Sequence, residues 1–283
     1  NSAAPSHIGG ALQANGQVYF VNPAGVFFGA NAVIDVGALY AAAGQISNAN
    51  FLNGTNNFTD LSGDLSNYGN IQGSAVYLFG KRVENYGSIL AKNTVVIAAG
   101  DELFIRERNG TLLVEVERGE PVAPNTAELG AADIYYIALA EESLVTSSYA
   151  DIQGSEVYIG GNIDVSDGGT INVYGDNIHI SGQAHLLADG ATNGGRIEVI
   201  AEEGLRAYGT FSASGNQGGF IETSGKDWID VEGISVTAAS PTGNQGTWLL
   251  DPRNLYSAPA SGVTDLNGTP QTVDAAYVLS ATT

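Results

Sequence analysis

Short blocks of this sequence return about every two dozen residues, and a chain that repeats at that interval has few ways to fold. Gly168-Gly169-Thr170-Ile171-Asn172-Val173 comes back as Gly194-Gly195-Arg196-Ile197-Glu198-Val199 and again as Gly218-Gly219-Phe220-Ile221-Glu222-Thr223. The isoleucine advances first by 26 residues (171 to 197) and then by 24 (197 to 221). Asn67-Tyr68-Gly69-Asn70-Ile71 returns 18 residues on as Asn85-Tyr86-Gly87-Ser88-Ile89. Ile71-Gln72-Gly73-Ser74-Ala75-Val76-Tyr77 returns 81 residues on as Ile152-Gln153-Gly154-Ser155-Glu156-Val157-Tyr158. Between these marks apolar and polar residues alternate. Ile171 and Val173 flank Asn172, Ile178 and Ile180 flank His179, and Ile229 and Val231 flank Asp230. A period of two marks strands with one buried face.

Two or three short strands per repeat, stacked repeat on repeat, make a solenoid. The predicted fold is all-β: a parallel β-helix with small hairpin or loop excursions. At about 22 residues per coil the chain makes roughly 12 to 13 coils, a rod on the order of 60 Å long. Glycine suits the corners, where tight turns and positive φ occur. The matched Asn67 and Asn85 suggest an amide ladder or a repeated turn. Helices should be rare, and Ala38 to Ala43 is the one short stretch that allows one. A β-sandwich would use Asn-Gly hairpins. Of the Asn-Gly pairs at Asn15, Asn53, Asn109 and Asn267, Asn15-Gly16 and Asn109-Gly110 fit local hairpins, the clearer running from Glu102 to Val116. They read as excursions, because the repeats continue around them.

Composition narrows the partners. With 43% apolar and only 14% charged residues, the chain can bury a core and is not of the disordered class. Thirty acids against ten bases give a net charge of −20. That surface repels phosphate backbones and acidic membranes, so no nucleic acid and no membrane insertion is expected. There is no Cys, which rules out disulfides, zinc-thiolate sites and thiol chemistry. Met is absent even at position 1, which implies a start downstream of the translational start. No apolar run reaches the roughly 18 residues of a membrane span.

The repeats divide the chain into segments of one stack. Residues 1–66 form a first block with an Asn/Gly-rich insert near Asn48 to Asn57. Residues 67–165 carry coils, a hairpin, and a loop from Glu117 to Glu128 with Pro121 and Pro124. Residues 166–255 are the most regular coils. Residues 256–283 run through a Ser/Ala/Pro-rich stretch towards a further coil or linker at Ala275 to Leu279.

The stretch from Leu12 to Ala32 contains Asn22-Pro23-Ala24-Gly25-Val26-Phe27-Phe28-Gly29. It resembles the core of the haemagglutination-activity, or two-partner secretion, domain of filamentous-haemagglutinin-like proteins. The family pattern there is Asn-Pro-Asn-Gly, an apolar residue, then Phe-Gly. Asn22, Pro23, Gly25, Val26, Phe28 and Gly29 match, and Ala24 departs from the second Asn. Gly246-Thr247-Trp248-Leu249-Leu250-Asp251-Pro252 resembles a second landmark of the same proteins. The resemblance implies residues 1–66 are part of the secretion domain, its N-terminal cap lying upstream of Asn1. It also implies a right-handed helix, export of the unfolded chain by a dedicated outer-membrane transporter, and folding outside the cell. Members act as adhesins, haemagglutinins, haemolysins or contact-dependent toxins. The expected role is therefore a secreted, extracellular or cell-surface protein that binds a host or neighbouring-cell receptor or glycan, or self-assembles into filaments. The resemblance also makes Asn22, Pro23, Gly25, Phe28 and Gly29 a transporter-recognition motif. Read from the residues alone, 22–25 is a turn, with Pro fixing φ and Gly taking a positive φ.

Other candidates compete with plainer readings. His7, His179 and His185 are too few for an evident metal site, and His179 faces outward if Ile178 and Ile180 face inward. Asp164, Asp167, Asp176 and Asp189 lie near coil turns, where calcium could bind, but no calcium-repeat pattern is present. Asp227, Asp230 and Glu232 beside Lys226 could form a glycan-cleaving cluster, the alternative in which the chain is a carbohydrate-active β-helix enzyme. A toxin stalk is a further alternative. Gly215 to Gly219 lacks the strand-to-helix context of a phosphate loop, and the sequons at Asn53, Asn57, Asn109 and Asn267 are weak. No catalytic residue, cofactor or metal is expected.

Overall fold

The computed structural model describes residues 3–108, 111–118, 135–252, 263–264 and 270–271. Within them the chain winds as a parallel β-helix with three faces, each nine strands deep. The first face stacks Ser6–Ile8, Val26–Phe28, Asp64–Asn67, Arg82–Asn85, Tyr136–Leu139, Glu156–Ile159, residues 177–180 and 204–207, and Trp228–Asp230. The second stacks residues 11–14, 33–36, 70–73 and 88–91, then Leu144–Thr146, Asn162–Asp164, His185–Leu187, Thr210–Ser212 and Ser235–Thr237. The third stacks 17–21, 38–42, 75–80, 94–99, Tyr149–Gln153, 170–175, 196–201, Phe220–Gly225 and Thr247–Pro252. Every one of these pairings is parallel. Long strands such as Ala11–Val21 and Thr170–Ile180 bend from one face to the next, and their register slips at the corners.

The described residues form nine coils, where 12 to 13 are expected for the whole chain. At about 4.8 Å per step they span on the order of 40 Å. Among the described residues two stretches leave the rod instead of winding it: residues 44–62, and the hairpin of Glu102–Arg108 and Thr111–Glu117; the stack resumes on the first face at Tyr136.

The sequence repeats map onto this stack. Ile171, Ile197 and Ile221 are direct register partners, as are Asn67 and Asn85. The isoleucines are fully buried, and each contributes about 1.5–3 kcal/mol over an exposed side chain. The preceding glycines stack without room for a side chain. A Cβ on Gly195 would lie 2.1 Å from the Gly169 carbonyl, and one on Gly219 2.2 Å from that of Gly195. Asn67 Nδ2 donates to Asn85 Oδ1 at 2.8 Å inside the helix, and Asn67 Oδ1 accepts from Gly69 N at 3.0 Å. The 81-residue repeat is different. Residues 71–77 turn the corner from the second face to the third, whereas 152–158 turn from the third to the first. Gly-Ser between two alternating strands makes either corner, so this likeness reflects corner chemistry rather than equivalent positions.

A second core lies outside the helix. Tyr40, Ala42, Tyr77, Phe79, Val96 and Ala98 point outward from the third face and are nonetheless buried. They are covered by Phe58, Leu61, Leu103 and Ile105. These belong to the two excursions, whose strands Asn56–Phe58, Glu102–Arg108 and Thr111–Glu117 form one antiparallel sheet. The hairpin expected from Glu102 to Val116 is thus present, with residues 109 and 110 outside the described set. This burial explains the one misread helix. Ala38 to Ala43 is apolar throughout because residues 38–42 form a strand packed on both faces. The only helix among the described residues is Asn48–Leu52, within the first excursion, capped by Ser47 Oγ accepting from Asn50 N at 3.1 Å. Asn15-Gly16 is not a hairpin either; it lies at a corner inside Ala11–Val21.

Candidate functional site

The motif at 22–29 joins the third face of the first coil to the first face of the second. Asn22 N donates to Ala42 O at 3.0 Å, closing the end of the strand. The Asn22 side chain then folds the turn: Oδ1 accepts from Ala24 N at 3.0 Å, and Nδ2 donates to Ala4 O at 2.9 Å and Ser6 Oγ at 3.1 Å. Gly25 N donates back to Asn22 O at 2.9 Å, and Gly25 O accepts from Ser6 N at 2.9 Å. Asn22 is only 5% exposed, so its amide is spent inside the protein. The turn needs only the backbone N–H of residue 24, which is why Ala24 can replace the family's Asn.

Gly25 has φ +118°, and a Cβ there would lie 2.9 Å from Asp64 O. Glycine is a structural requirement at that position. Gly29 is not under the same constraint: a Cβ there would meet nothing nearer than 3.6 Å. Gly29 N donates to Ile8 O and its carbonyl accepts from Ala32 N, both at 2.8 Å, so it forms the next corner. Phe28 between them is fully buried, edge-on to Phe20 at 5.7 Å. Pro23 is half-buried, and its carbonyl lies under Gly63, where a Cβ would meet it at 2.5 Å. A shallow recess of about 400 Å³ opens beside the turn between Pro5, His7, Pro23, Phe27 and Asp64. Asn22, Pro23, Gly25, Phe28 and Gly29 are therefore adjacent, but only Pro23 and Gly29 offer much surface. Sequence reading missed Ala4 and Ser6, whose backbone and hydroxyl groups hold the turn, and Asp64, whose carbonyl crowds Gly25; nothing in their local pattern marks them.

The remaining candidates do not converge. His179 sits half-buried on the outside of the first face, between Tyr158 and Tyr208, as the alternation predicts. Its pKa is lowered, by burial and then by Arg206. His185 is on the second face and His7 in the first coil. Asp164 caps its own turn through Ser166 N at 2.9 Å, Asp189 accepts from Ser214 N at 2.6 Å, and Asp176 pairs with Arg118 at 3.1 Å. Among the described residues no three acids or histidines gather to hold a metal ion. Lys226 pairs with Glu202 at 3.1 Å, and Asp230 accepts from Tyr208 Oη at 2.7 Å. The proposed glycan-cleaving cluster is not assembled. Trp248 of the second landmark is in the last described coil, its Nε1 donating to Thr223 Oγ1 at 3.0 Å. No helix among the described residues is long and apolar enough to cross a membrane.

Fold and turn together define a parallel β-helix whose first coils are locked by an Asn-Pro-x-Gly turn and roofed by an antiparallel sheet. The family description "TPS secretion domain" matches residues 1–144, just over half of the chain, and the chain belongs to that family. It is a two-partner secretion exoprotein, exported through an outer-membrane transporter partner. Among solved structures it is similar to the HMW1 secretion domain from Haemophilus influenzae, with 19% identity, a TM-score of 0.47, and coverage of 85% of this chain and 82% of that one. No curated protein matches it significantly.

Proposed function

We propose that the exported chain acts outside the cell as an adhesive or fibre-forming β-helix, contacting a host or neighbouring-cell receptor or further copies of itself. The observation that supports this reading is the outward display of aromatic rings at the corner where the first face gives way to the second. Tyr68 and Tyr86 stack at 4.5 Å and remain about 40% exposed, with Phe27 beside Tyr68 at 5.4 Å. Rings left in water on a rigid face favour contact with a partner. Purified protein bearing Tyr68→Ser and Tyr86→Ser is expected to lose most of its binding to target cells, or its self-association, with its circular dichroism unchanged. Undiminished binding by that variant would contradict the reading.

Asn22, Pro23, Gly25, Phe28 and Gly29 are proposed to be read by the transporter in the unfolded chain, since folding consumes the Asn22 amide. Asn22→Ala and Asn67→Ala both remove a buried amide from the fold, but only the first touches the motif. Export that fails for Asn22→Ala and survives for Asn67→Ala supports recognition. Equal export of the two reduces the motif to a turn.

A further inference from the structure

We infer that the first face over its last coils carries a binding site for a carboxylate-bearing pyranose, an acidic sugar. The inference deepens the adhesive reading above by naming a ligand class, and it is centred on Trp228 and Arg206.

Trp228 lies in the ninth coil, in register with Gly204 of the eighth. A Cβ on Gly204 would fall 2.1–2.2 Å from the indole ring atoms. The missing side chain therefore lets the Nε1–Cε2–Cζ2 edge of the indole pack against the backbone of the neighbouring strand. The ring is 40% exposed. The free face of an indole anchored by its edge is a platform for the C–H face of a pyranose, whose slightly positive hydrogens meet the negative π surface.

Arg206 supplies the charge. Its Cζ lies over one face of the Trp228 ring, 5.0 Å from the centroid, which leaves the opposite face for a sugar. Arg82, Arg106, Arg118 and Arg196 each pair with a carboxylate. Arg206 faces Asp230 across the register, yet among the described residues its guanidinium forms no ion pair. Asp230 is engaged elsewhere, accepting from Tyr208 Oη at 2.7 Å and from Glu232 N at 3.1 Å. An unpaired guanidinium on a chain of net charge −20 is a local exception, and its forked donors match a carboxylate. His179 packs edge-on against Tyr208 at 5.7 Å and against Tyr158 at 5.4 Å. Burial and then Arg206 lower its pKa, which favours the neutral imidazole, a form that can both donate to and accept from a sugar hydroxyl. Adjacent coils are about 4.8 Å apart, so platform, cation and imidazole fall within the reach of one or two sugar rings.

The test follows the Trp228 indole N–H resonance of the full chain by NMR, assigned with Trp248→Phe. The titrants are glucuronate, glucose and acetate. Glucuronate should shift the resonance saturably, with glucose at least about tenfold weaker and acetate without effect. Arg206→Gln should reduce glucuronate to the level of glucose, and Trp228→Ala should abolish saturable binding seen at the neighbouring resonances. Both side chains are exposed, so circular dichroism should not change. Equal affinity for glucose and glucuronate, or an Arg206→Gln variant that binds glucuronate undiminished, overturns the inference. So does acetate matching glucuronate, which would reduce the site to a bare carboxylate contact. Glucuronate binding in a protein that adheres to no cell would refute the adhesive reading and leave this site standing. Adhesion with no sugar response would do the reverse.

Discussion

Asp151 is a buried carboxylate with no cation beside it, and replacing it with asparagine should make the protein more stable at neutral pH. It lies on the outer side of the third face, in register with Val96 on one side and Asn172 on the other, and is 4% exposed. Gln153 Nε2 donates to it at 2.9 Å and Tyr149 Oη at 3.2 Å. These bonds favour the charged form, but burial outweighs them and raises its pKa from 3.8 to about 6. Tyr174 also feels the charge, its own pKa raised to about 12 by burial and by Glu198 and then Asp151. Because the folded state holds this proton more tightly than the unfolded chain, the group costs nothing well below pH 3.8. Its cost grows as pH rises through 6 and is then complete. Two pKa units correspond to roughly 3 kcal/mol. Asp151→Asn removes that cost but weakens two charge-assisted hydrogen bonds, leaving a gain of about 1–2 kcal/mol at pH 7.5. For a chain of this size that raises Tm by about 2–8 °C. Urea unfolding of both proteins by circular dichroism, at pH 7.5 and 4.5, isolates the group from the other acids because only the difference is read. The gain should shrink by more than half at pH 4.5. A variant no more stable than wild type at pH 7.5, or a difference that ignores pH, would refute the reasoning.

Two further substitutions test the packing. Gly195→Ala places a methyl 2.1 Å from Gly169 O and should destabilise by about 2–4 kcal/mol, seen as a lower urea midpoint and faster proteolysis around the sixth to eighth coils. Phe58→Ala removes a fully buried ring from the outer core and should cost about 3–5 kcal/mol locally. Amide hydrogen exchange should then rise in Asn56–Phe58 and Glu102–Arg108 while the regular coils from Thr170 onward keep their protection.

The parts of the fold legible in the sequence were those in which neighbouring coils impose the same demand. Ile171, Ile197 and Ile221 fill one column of the core, and the glycines before them meet the same backbone contact, so the chain repeats itself there. Asn67 and Asn85 share a buried amide bond and therefore share a residue type. The outer core was illegible because it joins residues far apart, such as Phe58 with Phe79 at 5.2 Å, and no period links them. Burial on both sides also erased the alternation in 38–42, which is why that strand resembled a helix. At the turn, Gly25 could be read from its chemistry, whereas the hold of Ala4 and Ser6 on Asn22 depends on a coil contact that local sequence does not encode. Arg206 was passed over for the same reason: its lack of a carboxylate is a fact of register, not of its neighbours in the chain.

The central claim is that this β-helix reaches the outside of the cell through a dedicated outer-membrane partner. The direct measurement is the amount of the protein in the culture medium and on the cell surface, with the partner present and with its gene deleted. The account predicts export with the partner, and intracellular or periplasmic retention with degradation without it. Equal export in both strains would contradict it.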